Sequence, residues 1–308
     1  MQTTPTLPTT PDSSPSTSAA PPPVGPARRG LALLAVLATL PYLTLKLHWL
    51  TGGRAGLGDP AFGQSTVMYV LNGLTMLLDV VALVLAVVFL TRRGLRAPAW
   101  LVLPPMWVGA GLLGQILVAL PVSAILNAVS TPSAPTTGEP PPIAEWVFTM
   151  VYAGFGLLGV GLLGSFAIYA WQRWGGRPLG APTAGQSGTL VAAAGLVLVA
   201  AVVHLLLSEV PLSSRLLDLV VALTAAISLT ALASPAVRSR GALVAVVIAF
   251  VGTGAMAAWG TYLGVIVLVP NDLVGQDAVD WPTVAASALR LVAGALGVGA
   301  LAARISRR

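Results

Sequence analysis

Eight apolar runs, most of them twenty residues or longer, dominate this chain of 308 residues and leave few options for its fold. An α-helix rises about 1.5 Å per residue, so roughly 20 such residues cross the ~30 Å hydrocarbon core of a bilayer. The runs cover residues 30–50, 67–90, 99–126, 143–171, 189–207, 216–233, 242–269 and 282–303. Charged residues make up only 8% of the sequence and hydrophobic ones 56%, too few charges to clothe a water-soluble surface. The expected fold class is therefore all-α: a polytopic integral membrane protein of eight transmembrane helices, with the lipid bilayer as its principal partner.

The segments between the runs suit this reading. Residues 1–27 are rich in Thr, Ser and Pro with almost no charge, the composition of a disordered tail. Arg28 and Arg29 precede the first run, but the run is long for a signal peptide and ends without a small-residue cleavage site, so an uncleaved first helix is expected. Residues 127–142 read as an extended strap, and residues 175–188, rich in Gly and Pro, as a linker between two sets of four helices, 28–174 and 189–308. Leu77-Leu78-Asp79-Val80-Val81 and Leu216-Leu217-Asp218-Leu219-Val220 hint that these halves repeat one another.

Cations orient the spans, because positively charged loops stay on the cytoplasmic side. With the N-terminus inside, only Lys46, Arg54, Arg215 and Arg290 of the 16 Lys and Arg residues fall toward the outer side. Both termini are thus expected in the cytoplasm. Trp49, Trp146 and Trp281 then lie at outer span ends and Trp100, Trp171 and Trp174 at inner ones, as interfacial anchors do. Trp107 and Trp259 fall inside spans, where their indole N–H groups need partners. The net charge of +6 comes from arginines scattered in ones to threes between apolar runs, so nucleic-acid binding is not expected. The 15 arginines against one lysine, with abundant Ala, Gly and Pro, suit a GC-rich bacterial genome, and the expected location is the bacterial plasma (inner) membrane.

An ionisable side chain within hydrocarbon is costly unless paired or hydrated, so each one marks a candidate site. Asp79 lies near the middle of the second span. Lys46, His48, His204, Asp218 and Arg290 fall in the outer parts of spans one, five, six and eight, with Glu209 just beyond. The expectation is an outward-facing polar cluster in which Asp79 or Asp218 pairs with Arg290 or Lys46. Set against it is the possibility that Lys46, His48, Glu209 and Asp218 merely wet the helix ends by snorkelling.

Catalytic signatures are missing: there is no H-E-x-x-H, G-x-S-x-G or P-loop. The absence of cysteine excludes thiolate metal sites and cysteine nucleophiles. Two histidines near helix ends are a poor basis for haem or zinc, so no metal or other cofactor is expected. Gly154, Gly156 and Gly159 match a dinucleotide fingerprint inside a membrane span with no preceding strand. They read instead, like Gly260 and Gly264, as sites of close helix packing, within the chain or in a homo-oligomer.

The stretch Pro41-Tyr42-Leu43-Thr44-Leu45-Lys46-Leu47-His48-Trp49-Leu50-Thr51-Gly52-Gly53 resembles uncharacterised actinobacterial multi-pass membrane proteins. The resemblance covers one span and its flank, and it implies class and location but no activity. The functional expectation is a non-catalytic structural or partner-binding membrane component. The alternatives are a small-solute or proton-coupled transporter using Asp79, and an outer-leaflet enzyme acting on a lipid-linked substrate.

Overall fold

In the computed structural model, which describes residues 24–59, 62–129, 142–175, 180–208, 212–235, 240–269 and 279–306, every apolar run is helical. The helices are α1 (Pro26–Leu50), α2 (Thr66–Leu90), α3 (Ala99–Val129), α4 (Glu145–Trp174), α5 (Ala184–Leu207), α6 (Leu212–Ala233), α7 (Arg240–Leu268) and α8 (Trp281–Ser306). All eight are long and apolar enough to cross a membrane, so the protein is an eight-helix polytopic membrane protein. Many large apolar side chains, among them Leu37, Val70, Leu101 and Ile227, face outward, where lipid covers them.

Local chemistry sets several boundaries more tightly than hydropathy does. α1 begins at Pro26, a residue pre-set for the first helical turn, and so extends the first run toward the N-terminus and takes in Pro26 and Ala27 of the expected tail. Residues 1–23 lie outside the described part. The expected linker 175–188 is shorter than composition indicated. Thr183 and Gln186 form a reciprocal capping box that starts α5 at Ala184, ahead of the glycines at 185 and 188. α3 continues to Val129, so the first three residues of the expected strap are helical, and positions 130–141 lie outside the described residues. Ser65 caps α2 by accepting from the Met68 N–H at 3.3 Å.

We call the side on which α1 starts proximal and the side on which it ends distal. α1 packs on α2 and α4, and α3 on α2 and α4; four places on, α5 packs on α6 and α8, and α7 on α6 and α8. The two groups meet where α3 crosses α7. That crossing is close because Gly111 faces the backbone of Gly254 and Ala255, while Gly254 faces the Trp107 carbonyl, and no Cβ fits between. Trp107 Nε1 donates to Thr253 Oγ1 at 3.0 Å, supplying the partner that a mid-span indole needs. Trp259 Nε1 is buried without one. Gly161 meets the α1 backbone in the same manner, with space for a Cβ only 2.6 Å from the Leu31 carbonyl oxygen. Gly260 lies against the Ser287 carbonyl and Arg290 on α8. These glycines therefore serve packing within the chain.

Candidate polar sites within the helix bundle

Lys46, Asp79, His204, Asp218 and Arg290, all buried, fall into two distal centres with no residue in common. The first joins α1 to α2. Lys46 Nζ donates to Asp79 Oδ2 at 2.7 Å, and the two residues are 1% and 6% exposed. Tyr42, one turn earlier on α1, places its ring centroid 4.0 Å from Nζ, a cation–π contact. Pro41 withdraws an amide donor from the turn 37–41 of α1, before the turn that carries Lys46. Lys46 does not snorkel to the membrane edge: the salt bridge holds it inside.

His48 does not belong to this centre. Two residues correspond to about 200° around a helix, so Lys46 and His48 cannot share a face. The His48 ring is exposed and lies against the Gly53 α-carbon in the turn that follows α1, where Gly53 N–H donates to the His48 carbonyl at 2.8 Å. The ring also borders a shallow recess of about 380 Å³ with Pro41, Thr44, Leu45, Ala55 and Met150.

The second centre joins four helices. Asp218 on α6 accepts from Arg290 Nη2 on α8 at 2.9 Å through Oδ2 and from Gln115 Nε2 on α3 at 2.9 Å through Oδ1. His204 on α5 brings Nδ1 to 2.9 Å from the same Oδ2 and to 2.8 Å from Arg290 Nη2. All four side chains are buried. The expected pairing of two acids with two cations thus resolves into Asp79 with Lys46 and Asp218 with Arg290, in separate places and not in a single cluster. Glu209 lies outside the described residues.

Gln115 went unmarked in the sequence because it is uncharged, although a lone amide within an apolar span is itself a signal of a buried polar partner. Two further arginines, which in the sequence carry only an orienting signal, are buried in the structure. Arg28, at the proximal end of α1, donates through Nε to the Phe89 carbonyl at 2.8 Å and through Nη2 to the Thr91 carbonyl at 2.8 Å; Nη1 reaches Gln172 Oε1 at 2.5 Å. Arg304, near the end of α8, donates to the Leu232 and Gly180 carbonyls. Both guanidinium groups satisfy carbonyls that a helix end leaves unpaired and place positive charge at the negative end of its dipole. Each of α2 and α6 is therefore fastened twice, by a buried cation near its C-terminal end and by another at its carboxylate. α1 supplies both cations to α2, and α8 supplies both to α6.

Comparison with protein-family models, with curated proteins and with solved structures returns no match for this chain.

Proposed function

We propose that this protein is a non-catalytic component of the bacterial plasma membrane, with both termini in the cytoplasm, that works by contact with another membrane protein or a second copy of itself. The observation that carries this reading is that the two buried carboxylates in the interior of the described spans, Asp79 and Asp218, are already held by cations from neighbouring helices. Charges engaged in this way join helices. A transporter using Asp79 needs that carboxylate at a hydrated cavity, whereas the recess at the distal end of α1 is lined by His48 and five other residues that do not include it. An enzyme on a lipid-linked substrate needs Lys46, His48 and His204 around one groove, and these three residues have separate surroundings.

The purified protein in vesicles loaded with a pH-sensitive dye is expected to leave an imposed pH gradient no leakier than protein-free vesicles do. Relaxation through the wild type that Asp79→Asn removes would establish the transporter instead. In intact membranes, a photocrosslinker at lipid-facing positions such as Leu74 or Val84 on α2 is expected to give a discrete heavier species. Its absence from lipid-facing positions on all eight helices would sink the contact role.

A further inference from the structure

The two distal centres differ in one respect that goes beyond a structural role. The Lys46–Asp79 pair is one donor facing one acceptor. At the second centre a single atom, His204 Nδ1, faces two groups of opposite demand. Arg290 Nη2, 2.8 Å away, can only donate, and an ionised Asp218 Oδ2, 2.9 Å away, can only accept. With a proton, Nδ1 serves the carboxylate and opposes the guanidinium. Without one, it serves the guanidinium and opposes the carboxylate. A neutral ring can take either role by tautomer, and from the Nε2–H tautomer one added proton at Nδ1 turns the second arrangement into the first. The far ring nitrogen, His204 Nε2, is buried with no partner, as is Gln115 Oε1 on the other side of Asp218.

On α5 and α8 the side chains next to this centre are polar toward the distal side and apolar toward the proximal side; farther toward the proximal side the Thr253 hydroxyl of α7, beside Gly297, is engaged by Trp107 Nε1 and the Ala249 carbonyl. Toward the distal side, Asp280 caps the start of α8 by accepting from the Thr283 N–H at 3.1 Å, and the Thr283 hydroxyl donates to Asp280 Oδ2 at 2.6 Å. The Ser208 hydroxyl joins them, 2.8 Å from Thr283 Oγ1 and 3.3 Å from Asp280 Oδ2. Ser208 is one turn beyond His204 on α5, and Thr283 is two turns before Arg290 on α8. Between Thr283 and Arg290 on that face comes Ser287, whose buried hydroxyl has no partner. Toward the proximal side the next turn is apolar on all three helices: Ala201 below His204, Ala222 below Asp218 and Ala293 below Arg290, packed with Val197, Ala225 and Met256.

We infer that His204, Asp218 and Arg290 form a proton-binding site filled from the distal face of the membrane through the Ser208, Thr283 and Ser287 hydroxyls and closed toward the proximal face. The ligand is a proton from bulk water, delivered to the imidazole without any change in bonds between heavy atoms. The charged groups within hydrogen-bond distance of the ring are Asp218 from α6 and Arg290 from α8; α3 contributes the neutral Gln115 through Asp218, while Arg215 reaches α5 only at the Leu205 carbonyl and Asp280 only at Ser208. One-sided access makes this a site that reports acidity on one face without conducting protons across, and occupancy changes which neighbour the α5 imidazole holds, Asp218 on α6 or Arg290 on α8.

The chain has two histidines, so His48→Gln, at an exposed position, leaves His204 as the only imidazole. ¹⁵N NMR of that protein in nanodiscs over a pH series is expected to show the His204 ring passing between two protonation patterns, with Nδ1 changing its hydrogen-bond role. Thr283→Val/Ser287→Ala retains every charge of the centre and is expected to slow hydrogen exchange of the ring with D₂O. A ring that keeps one pattern at every pH is a fixed structural hydrogen bond and overturns the site. A ring that titrates but exchanges as fast in the double variant as in the parent overturns the path.

Discussion

Lys46 and Asp79 show what a charge inside the bilayer demands. Removing one partner of a buried pair leaves the other uncompensated, a loss of roughly 3–5 kcal/mol, whereas replacing both with apolar residues of similar size is often neutral. Lys46→Met and Asp79→Leu are each expected to lower the unfolding midpoint in detergent sharply, and the double variant is expected to recover most of the loss. Recovery is a signature of a structural pair; a double variant as unstable as either single would show that the carboxylate has another partner. Arg28 makes a different demand, since its fork reaches the Phe89 carbonyl of α2, the Thr91 carbonyl just past its end and Gln172 on α4 at once. A lysine has a point charge and no fork, so Arg28→Lys is expected to forfeit most of the stability that Arg28→Gln loses.

At the scale of the element, small residues decide which helices touch. Without water to drive helices together in lipid, close approach and dispersion do that work, and glycine permits both. Gly111 at the α3–α7 crossing has Gly254 backbone where its Cβ would be, while Gly109, two residues away, faces open space. Gly111→Val is expected to reduce the yield of folded monomer in detergent, and Gly109→Ala to leave it unchanged or slightly raised. Equal effects from the two would mean that helix propensity, about 1 kcal/mol for Gly against Ala, outweighs packing here. Helix ends follow the same local logic. The Thr183–Gln186 box and the Asp280 cap answer amide groups that hydrocarbon cannot hydrate.

At the scale of the molecule, eight crossings return α8 to the side where α1 begins. The arginines concentrated on that side are what the proposed orientation, with both termini cytoplasmic, rests on. The absence of native cysteine makes any introduced one a unique label. A cysteine at Arg93, in the 3-10 turn between α2 and α3, is expected to escape a membrane-impermeant thiol reagent added to intact cells, and one at Arg54 to react. The reverse pattern would invert the topology and move the inferred proton entry to the cytoplasmic face. The correspondence between α1–α4 and α5–α8 extends to their polar contacts: Asp79 meets a side chain of α1, and Asp218 meets His204 of α5. It stops at Arg290, which α8 contributes and for which α4 has no cation near Asp79.

Helix number, the approximate span ends and the inward placement of Asp79 and Arg290 are legible in the residues alone. Their cause is one-dimensional: hydrocarbon tolerates only long apolar helices, and a charge within one must find a partner. Which partner it finds is not one-dimensional. Lys46 and Arg290 were equally eligible for Asp79, and the choice was made by how α1, α2, α6 and α8 pack, since an ion pair forms only between faces that packing has already brought within 3 Å. The same holds for Gln115 and His204, each ordinary within its own helix, which acquire a role only where four helices converge on Asp218.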